Sequence, residues 1–370
     1  MVSSAIHQAC KCMIKTNHKM RKPDLRCAFT LIELLVSMTV LSMLLLIVTS
    51  VISRVQSSWH QVSSKVSEFR EVRRAFDRVV NSLSQATLNN YLIYRYPNAT
   101  DPFVPPTKSL KDQPSGYLRY SELEFVCGPS SSTASPKLTG LPSDQSPGHA
   151  VFFQAPLGTT NTLRLPTALN GCGYFIQFGG DDTSRPDFLK TLGKPQTYRY
   201  RLYEYRSSTE QNRVYDKPAA ASTDKWYSDF ATQSRPIANN IILMVFSPQT
   251  PRVDQSTGSP TDIAPNYRYD STPAIPVPVS GAQGSTDYQL PPLVAVTFVA
   301  IDDASAQNLA VANGSSPPLA SILKSSLFTK ASAYDADLAS VTSQLVAKKV
   351  NFRIFTLTVP LRASKWGQGT

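Results

Sequence analysis

An α+β fold, with a long N-terminal helix packed on an antiparallel β-sheet domain with long loops, is predicted by three observations in this 370-residue sequence. Residues 29–53 form a 25-residue run with one charge, Glu33. After it, apolar residues recur every three or four positions as far as Leu83. Beyond Asn90 the period changes to two, in short runs separated by Pro, Gly, Ser and Asp clusters.

The first run is read as a transmembrane and assembly helix, 29–53. Its stretch 34–52 has 19 residues and no charge. At about 1.5 Å per residue this nearly crosses a hydrocarbon core of about 30 Å. A buried core helix is the alternative reading. The basic residues Lys11, Lys15, Lys19, Arg21, Lys22 and Arg26 stand before it against Asp24 alone, so residues 1–28 carry six minus one, or +5, of the net charge of +11. Positive charge on that flank predicts a single-pass inner-membrane protein, N-terminus cytoplasmic and C-terminal domain periplasmic. The same placement argues against nucleic acid as a partner, because a nucleic-acid binder keeps its positive charge on a folded face. An ordinary secretory signal is disfavoured, since no small-x-small cleavage site follows the run. Cys27 precedes the run, whereas a lipid-accepting Cys would follow it.

Residues 54–88 are expected to continue the helix in amphipathic form. Val55, Trp59, Val62, Val66, Phe69, Val72, Phe76, Val80 and Leu83 make its apolar stripe. Residues 89–370 form the β-rich globular domain, with strands expected at 121–127, 150–154, 173–178, 197–205, 240–247, 293–302 and 350–359, and a short helix at 332–347. Around Tyr198–Tyr205 aromatic and charged residues alternate, with Leu202 the one break, which predicts a half-buried strand. Long loops are expected at 128–147, 249–262 and 271–286.

Arg26-Cys27-Ala28-Phe29-Thr30-Leu31-Ile32-Glu33-Leu34-Leu35-Val36 closely resembles the prepilin processing and methylation motif of type IV pilin-like proteins. The resemblance implies cleavage between Ala28 and Phe29 by a prepilin peptidase and N-methylation of Phe29. Residues 1–28 are then a basic leader, and Glu33 is the fifth mature residue. It implies that Glu33 guides assembly by pairing with the terminal amine of a neighbouring subunit. A carboxylate in an apolar helix is in any case a functional candidate; a Glu that snorkels to the interface is the plainer reading. Ala28 departs from the usual Gly, and the leader is long; a start at Met20 would give a short, family-like leader. The late segments 290–298 and 352–362 are similar to the J-type minor pseudopilin of type II secretion. The chain also looks like the group called Verru_Chthon cassette protein C. The presence of Glu33 argues against a K-type tip subunit.

Little points to catalysis or metal binding. Of five Cys, Cys10, Cys12 and Cys27 fall in the leader, leaving Cys127 and Cys172 as a possible disulfide of an oxidising compartment, with two free thiols as the alternative. His149 is the only His of the globular region, and no nucleophile elbow or P-loop is present. Asp181, Asp182 and Asp187 could offer oxygens to calcium, but read more simply as a solvated turn, as does Asp302-Asp303. The expectation is therefore a structural minor pseudopilin and not an enzyme, with no cofactor or metal. Its expected partners are prepilin peptidase, other pseudopilins or pilin-like subunits, and an inner-membrane assembly platform. The alternative is a membrane-anchored exported binding protein displayed through the prepilin pathway.

Overall fold

The computed structural model describes residues 30–95, 116–130, 138–142, 144–162, 165–182, 184–215, 225–251, 261, 263–272 and 288–365. Within these the fold is α+β, and the chain divides into two units, up to Gln61 and from Val62 onward. Helix α1 spans Leu31–Ser84. Strands β1 (Tyr91–Arg95), β2 (Gly116–Tyr120), β3 (Val126–Pro129), β4 (His149–Ala155) and β5 (Asn170–Gly179) follow. Then come α2 (Asp187–Thr191), β6 (Arg199–Arg206), α3 (Phe230–Gln233), β7 (Ser234–Asn239), β8 (Ile241–Gln249) and β9 (Tyr269–Asp270). The chain closes with β10 (Leu293–Ile301), α4 (Asp303–Asn313), α5 (Tyr334–Ala347) and β11 (Phe352–Pro360).

The strands form three antiparallel sheets: a pair β1-β2, a three-stranded sheet β11-β10-β8, and a six-stranded sheet β7-β6-β5-β4-β3-β9. The second part of α1 buries Val72, Ala75, Phe76, Val79 and Leu83 in a core shared with the two larger sheets. Phe76 meets Phe298 edge-on at 5.0 Å and Phe355 at 6.0 Å, and the guanidinium of Arg353 lies 5.1 Å over the Phe69 ring. The stripe turns slightly from the one expected: Val79 is fully buried and Val80 only partly.

The opposite face of the six-stranded sheet carries a second, aromatic core. Phe152 stacks on Tyr227 with centroids 4.2 Å apart, and Phe175 stacks on Tyr203 at 5.5 Å. Two glycines of β5 make room for it. A Cβ at Gly173 would fall 2.2 Å from the Phe152 ring, and one at Gly171 would fall 2.8 Å from Trp226.

Several boundaries differ from expectation for local reasons. Residues 121–125 are not a strand. Their amides go to side chains instead: Leu123 donates to Ser121 Oγ, Glu124 to Gln154 Oε1 and Phe125 to Ser271 Oγ. Strand β7 contains Pro236 and holds an edge of its sheet, where a missing N–H is tolerated. Helix α4 replaces the turn expected at Asp302-Asp303. Asp302 is its N-cap, accepting from Ser305 N at 2.9 Å, and Gly314 closes it with φ 58°. The long loops expected at 249–262 and 271–286 lie mostly outside the described residues, as do 131–137 and 143 of the one expected at 128–147.

His149 joins the two larger sheets. Phe246 N–H donates to its Nδ1 at 3.1 Å, and its Nε2 donates to Phe328 O at 2.9 Å, an arrangement that suits the neutral ring. Burial lowers its pKa to about 4. The unfolded chain therefore takes up this proton first, near pH 6.5. The stability His149 contributes is complete above about pH 6.5 and falls by about 3 kcal/mol as pH drops to 4. Denaturant melts across that interval are expected to show the loss, and His149→Gln to flatten it.

Candidate functional site: the N-terminal helix and its carboxylates

Helix α1 begins with a capping arrangement written in Thr30-Leu31-Ile32-Glu33. The amides of Glu33 and Leu34 donate to Thr30 O at 3.1 and 3.2 Å, and Glu33 N–H also reaches Thr30 Oγ1 at 3.4 Å. The Thr30 hydroxyl donates back to Glu33 Oε2 at 3.4 Å. Thr30 is thus the N-cap and Glu33 the third helical residue, half of a capping box, with the carboxylate meeting the Thr30 hydroxyl in place of its backbone N–H. A carboxylate there also suits the positive end of the helix dipole.

From Leu31 to Trp59 the helix is long and apolar enough to cross a membrane, and none of it is buried by the rest of the chain. Leu, Ile, Val and Met side chains are exposed on all its faces. Its hydroxyls do not spoil this. Ser37, Thr39, Ser42, Thr49, Ser50 and Ser53 each donate to a backbone carbonyl three or four residues earlier, at 2.8–3.0 Å. Every polar group satisfied within the helix is one that hydrocarbon need not solvate. Glu33 is then the one ionisable side chain between Leu31 and Ser53. Ala28 and Phe29, the expected processing pair, lie outside the described residues.

Residues 25–49 match the model of the prokaryotic N-terminal methylation motif. It is a type IV pilin and pseudopilin signal. The motif supports a pilin-like protein of the prepilin pathway, and the apolar helix fits a single-pass membrane anchor. The matched stretch includes Ala28, Phe29 and Glu33. Comparison with curated proteins and with solved structures gave no match.

A second carboxylate fixes the later part of α1 to the globular unit. Glu204 on β6 is fully buried. Arg78 of α1 donates to it through Nε and Nη2, both at 2.8 Å. Arg206 adds Nη2 at 2.9 Å, Arg235 of β7 adds Nε and Nη2 at 3.2 and 2.9 Å, and Tyr174 Oη donates at 3.1 Å. Burial alone would raise the Glu204 pKa; the hydrogen bond and charge of Arg78, with Arg206 and Arg235, hold it below the usual carboxylate range.

The sequence signal for this residue is the break at Leu202. Tyr198, Tyr200, Leu202 and Glu204 share one face of β6, toward α1, while Arg199, Arg201, Tyr203 and Tyr205 share the other. The alternation changes sense across Leu202, so Glu204 falls at a core position. The expected half-buried strand is instead covered on both faces, with Arg201 4% and Glu204 0% exposed. Arg201 is held by Asn239 Oδ1 and by the carbonyls of Gly179, Gly180 and Thr197.

Cys127 and Cys172 do not form the disulfide considered from the sequence; both are free and buried. Cys127 lies opposite Val151 and Cys172 opposite Phe153, so β4 runs between their strands. Two strand spacings of about 4.8 Å exceed what a disulfide spans. Burial pushes both thiols up, Cys172 to about 12, so neither is a ready nucleophile.

The acidic turn is spent internally. Asp181 accepts from Thr197 N and Oγ1, Asp182 pairs with Arg185, and Asp187 with Lys190. Asp303 receives Arg199, Asn240 and Gln307. Among the described residues no three His, Cys, Asp or Glu side chains are grouped to hold a metal.

Replacing Glu204 by Gln leaves Arg78, Arg206 and Arg235 without a counter-charge in a partly buried setting. A loss of about 3–5 kcal/mol is expected, readable by chemical denaturation. Because the folded pKa of Glu204 is lowered, its contribution is present above the ordinary Glu value and disappears as pH falls through the folded one. The wild-type advantage over Glu204→Gln should therefore shrink below about pH 4.5, a lower window than that of His149.

Proposed function

We propose that this chain is a structural minor pseudopilin, assembled through its N-terminal helix into a type II secretion or type IV pilus-like filament. The observation that carries this reading is a coincidence at one helix end. A methylation motif, a glutamate in the first helical turn and a helix long and apolar enough to cross a membrane all occur together.

The mechanism follows from solvation. Prepilin peptidase cleaves between Ala28 and Phe29 and methylates the new amine. Phe29 then carries a positive charge four residues before Glu33. A lone carboxylate in hydrocarbon is costly, and a neighbouring subunit's terminal amine at the same depth offsets that cost. Wrong register leaves two unpaired charges, so the pair selects the correct one. The apolar faces supply packing between helices, and the globular unit is carried periplasmically, with the N-terminus starting in the cytoplasm. Energy for assembly comes from a separate ATPase at an inner-membrane platform. The chain itself performs no catalysis and needs no cofactor.

Expression with and without prepilin peptidase, followed by mass spectrometry of the mature N-terminus, tests the first step. N-methylated Phe29 is expected only when the peptidase is present. An intact leader in both cases, or a cut after the apolar run, would sink the reading. Glu33→Ala is then expected to leave processing intact. It should lower co-purification with other pilin-like subunits by about tenfold or more, the factor that corresponds to about 1.4 kcal/mol.

A further inference from the structure

Glu204 is surrounded by more positive charge than it neutralises. Three guanidinium groups touch one carboxylate, an excess of three minus one, or two charges. Arg78 and Arg235 are 40% and 61% exposed. Each spends Nε and Nη2 on Glu204, which leaves Nη1 free to donate toward solvent. Arg206 contributes Nη2 only, and its Nε is buried with no hydrogen-bond partner. A network needed only to hold α1 in place would be complete with fewer cations.

The excess extends along the helix. Arg70 and Arg74 are exposed and precede Arg78 at four-residue intervals, so the three follow one stripe of α1. Of the nearby acids, Glu71 is turned to the backbone amide of Asn239, and Asp77 is exposed. The neighbouring strand positions Cys172 and Tyr174 are neutral and buried, and β7 brings no acid.

We propose that Arg78 and Arg235, with Arg74 beside them, form a docking site for the carboxylates of an acidic segment on a partner protein. Guanidinium groups offer paired donors that match carboxylates. Free Nη1 donors on two different elements, prolonged by a row of arginines about one helical turn apart, suit several carboxylates along a chain better than one compact anion. The proposal stands apart from filament assembly, because it concerns the globular unit alone.

The test uses the purified full chain in a non-ionic detergent. It is titrated with a fluorescent, acetylated Gly-Glu repeat peptide, and separately with inorganic phosphate, at constant ionic strength. Saturable peptide binding is expected, weakened about tenfold by Arg235→Gln and by Arg74→Gln. Arg119→Gln, on the β2 strand of the separate hairpin, should bind as the wild type does. Arg235→Gln leaves Glu204 paired with Arg78 and Arg206, so the fold is expected to persist, and circular dichroism of each variant checks it. Equal peptide binding by wild type and folded Arg235→Gln would overturn the site. Phosphate that binds more tightly and displaces the peptide would replace the protein partner with a free phosphate ligand and overturn the docking reading.

Discussion

The globular unit depends on the burial of one carboxylate. Glu204 sits where the core requires an apolar residue, between α1 and the six-stranded sheet. Its charge survives there because donors converge from four directions: α1, the neighbouring strands β5 and β7, and its own strand two residues on. Breaking such a group is costly, whereas forming it adds little over an apolar pair. Its value is directional: Arg78 meets Glu204 in only one rotation and register of the helix. Phe76, two residues earlier, is then presented to Phe298 and Phe355.

Helix α1 answers two solvents with one backbone. Up to Ser53, Glu33 apart, its side chains are apolar or carry hydroxyls that bond back to its own carbonyls. From Phe69 onward only one stripe is apolar, and that stripe is buried. The first pattern is stable where water is excluded, the second where one face meets a core and the other meets water. Glu33 is the exception in the first pattern and Glu204 an exception in the sheet that receives the second. Each is a charge in an apolar setting whose role is defined by the cation that meets it.

The sheet is closed by aromatic packing on its other face, and this explains the glycines of β5. Gly171 and Gly173 leave a trough that Trp226 and the Phe152 ring fill. The same crowded strand order separates Cys127 from Cys172. Even count and an oxidising compartment favoured a bridge, but pairing depends on strand neighbours, and β4 stands between them.

The sequence by itself determined the membrane-competent helix, the methylation motif that spans 25–49, and the positions of β4, β5, β6, β8, β10, β11 and α5 to within a few residues. These are legible because apolar run length, period and short-range motifs act between near neighbours in the chain. The ends of α4 were also written locally, in Asp302 and Gly314, although the pair Asp302-Asp303 read equally well as a turn. Tertiary structure alone decided the rest. Residues 121–125 lost strand pairing to side chains such as Ser271, 146 residues from the amide it receives. The break at Leu202 showed that β6 changes sense, but the partners of Glu204, one of them 126 residues away, come from other elements. No local pattern names a partner at that distance, because the contact exists only once the helix and both sheets have closed around it.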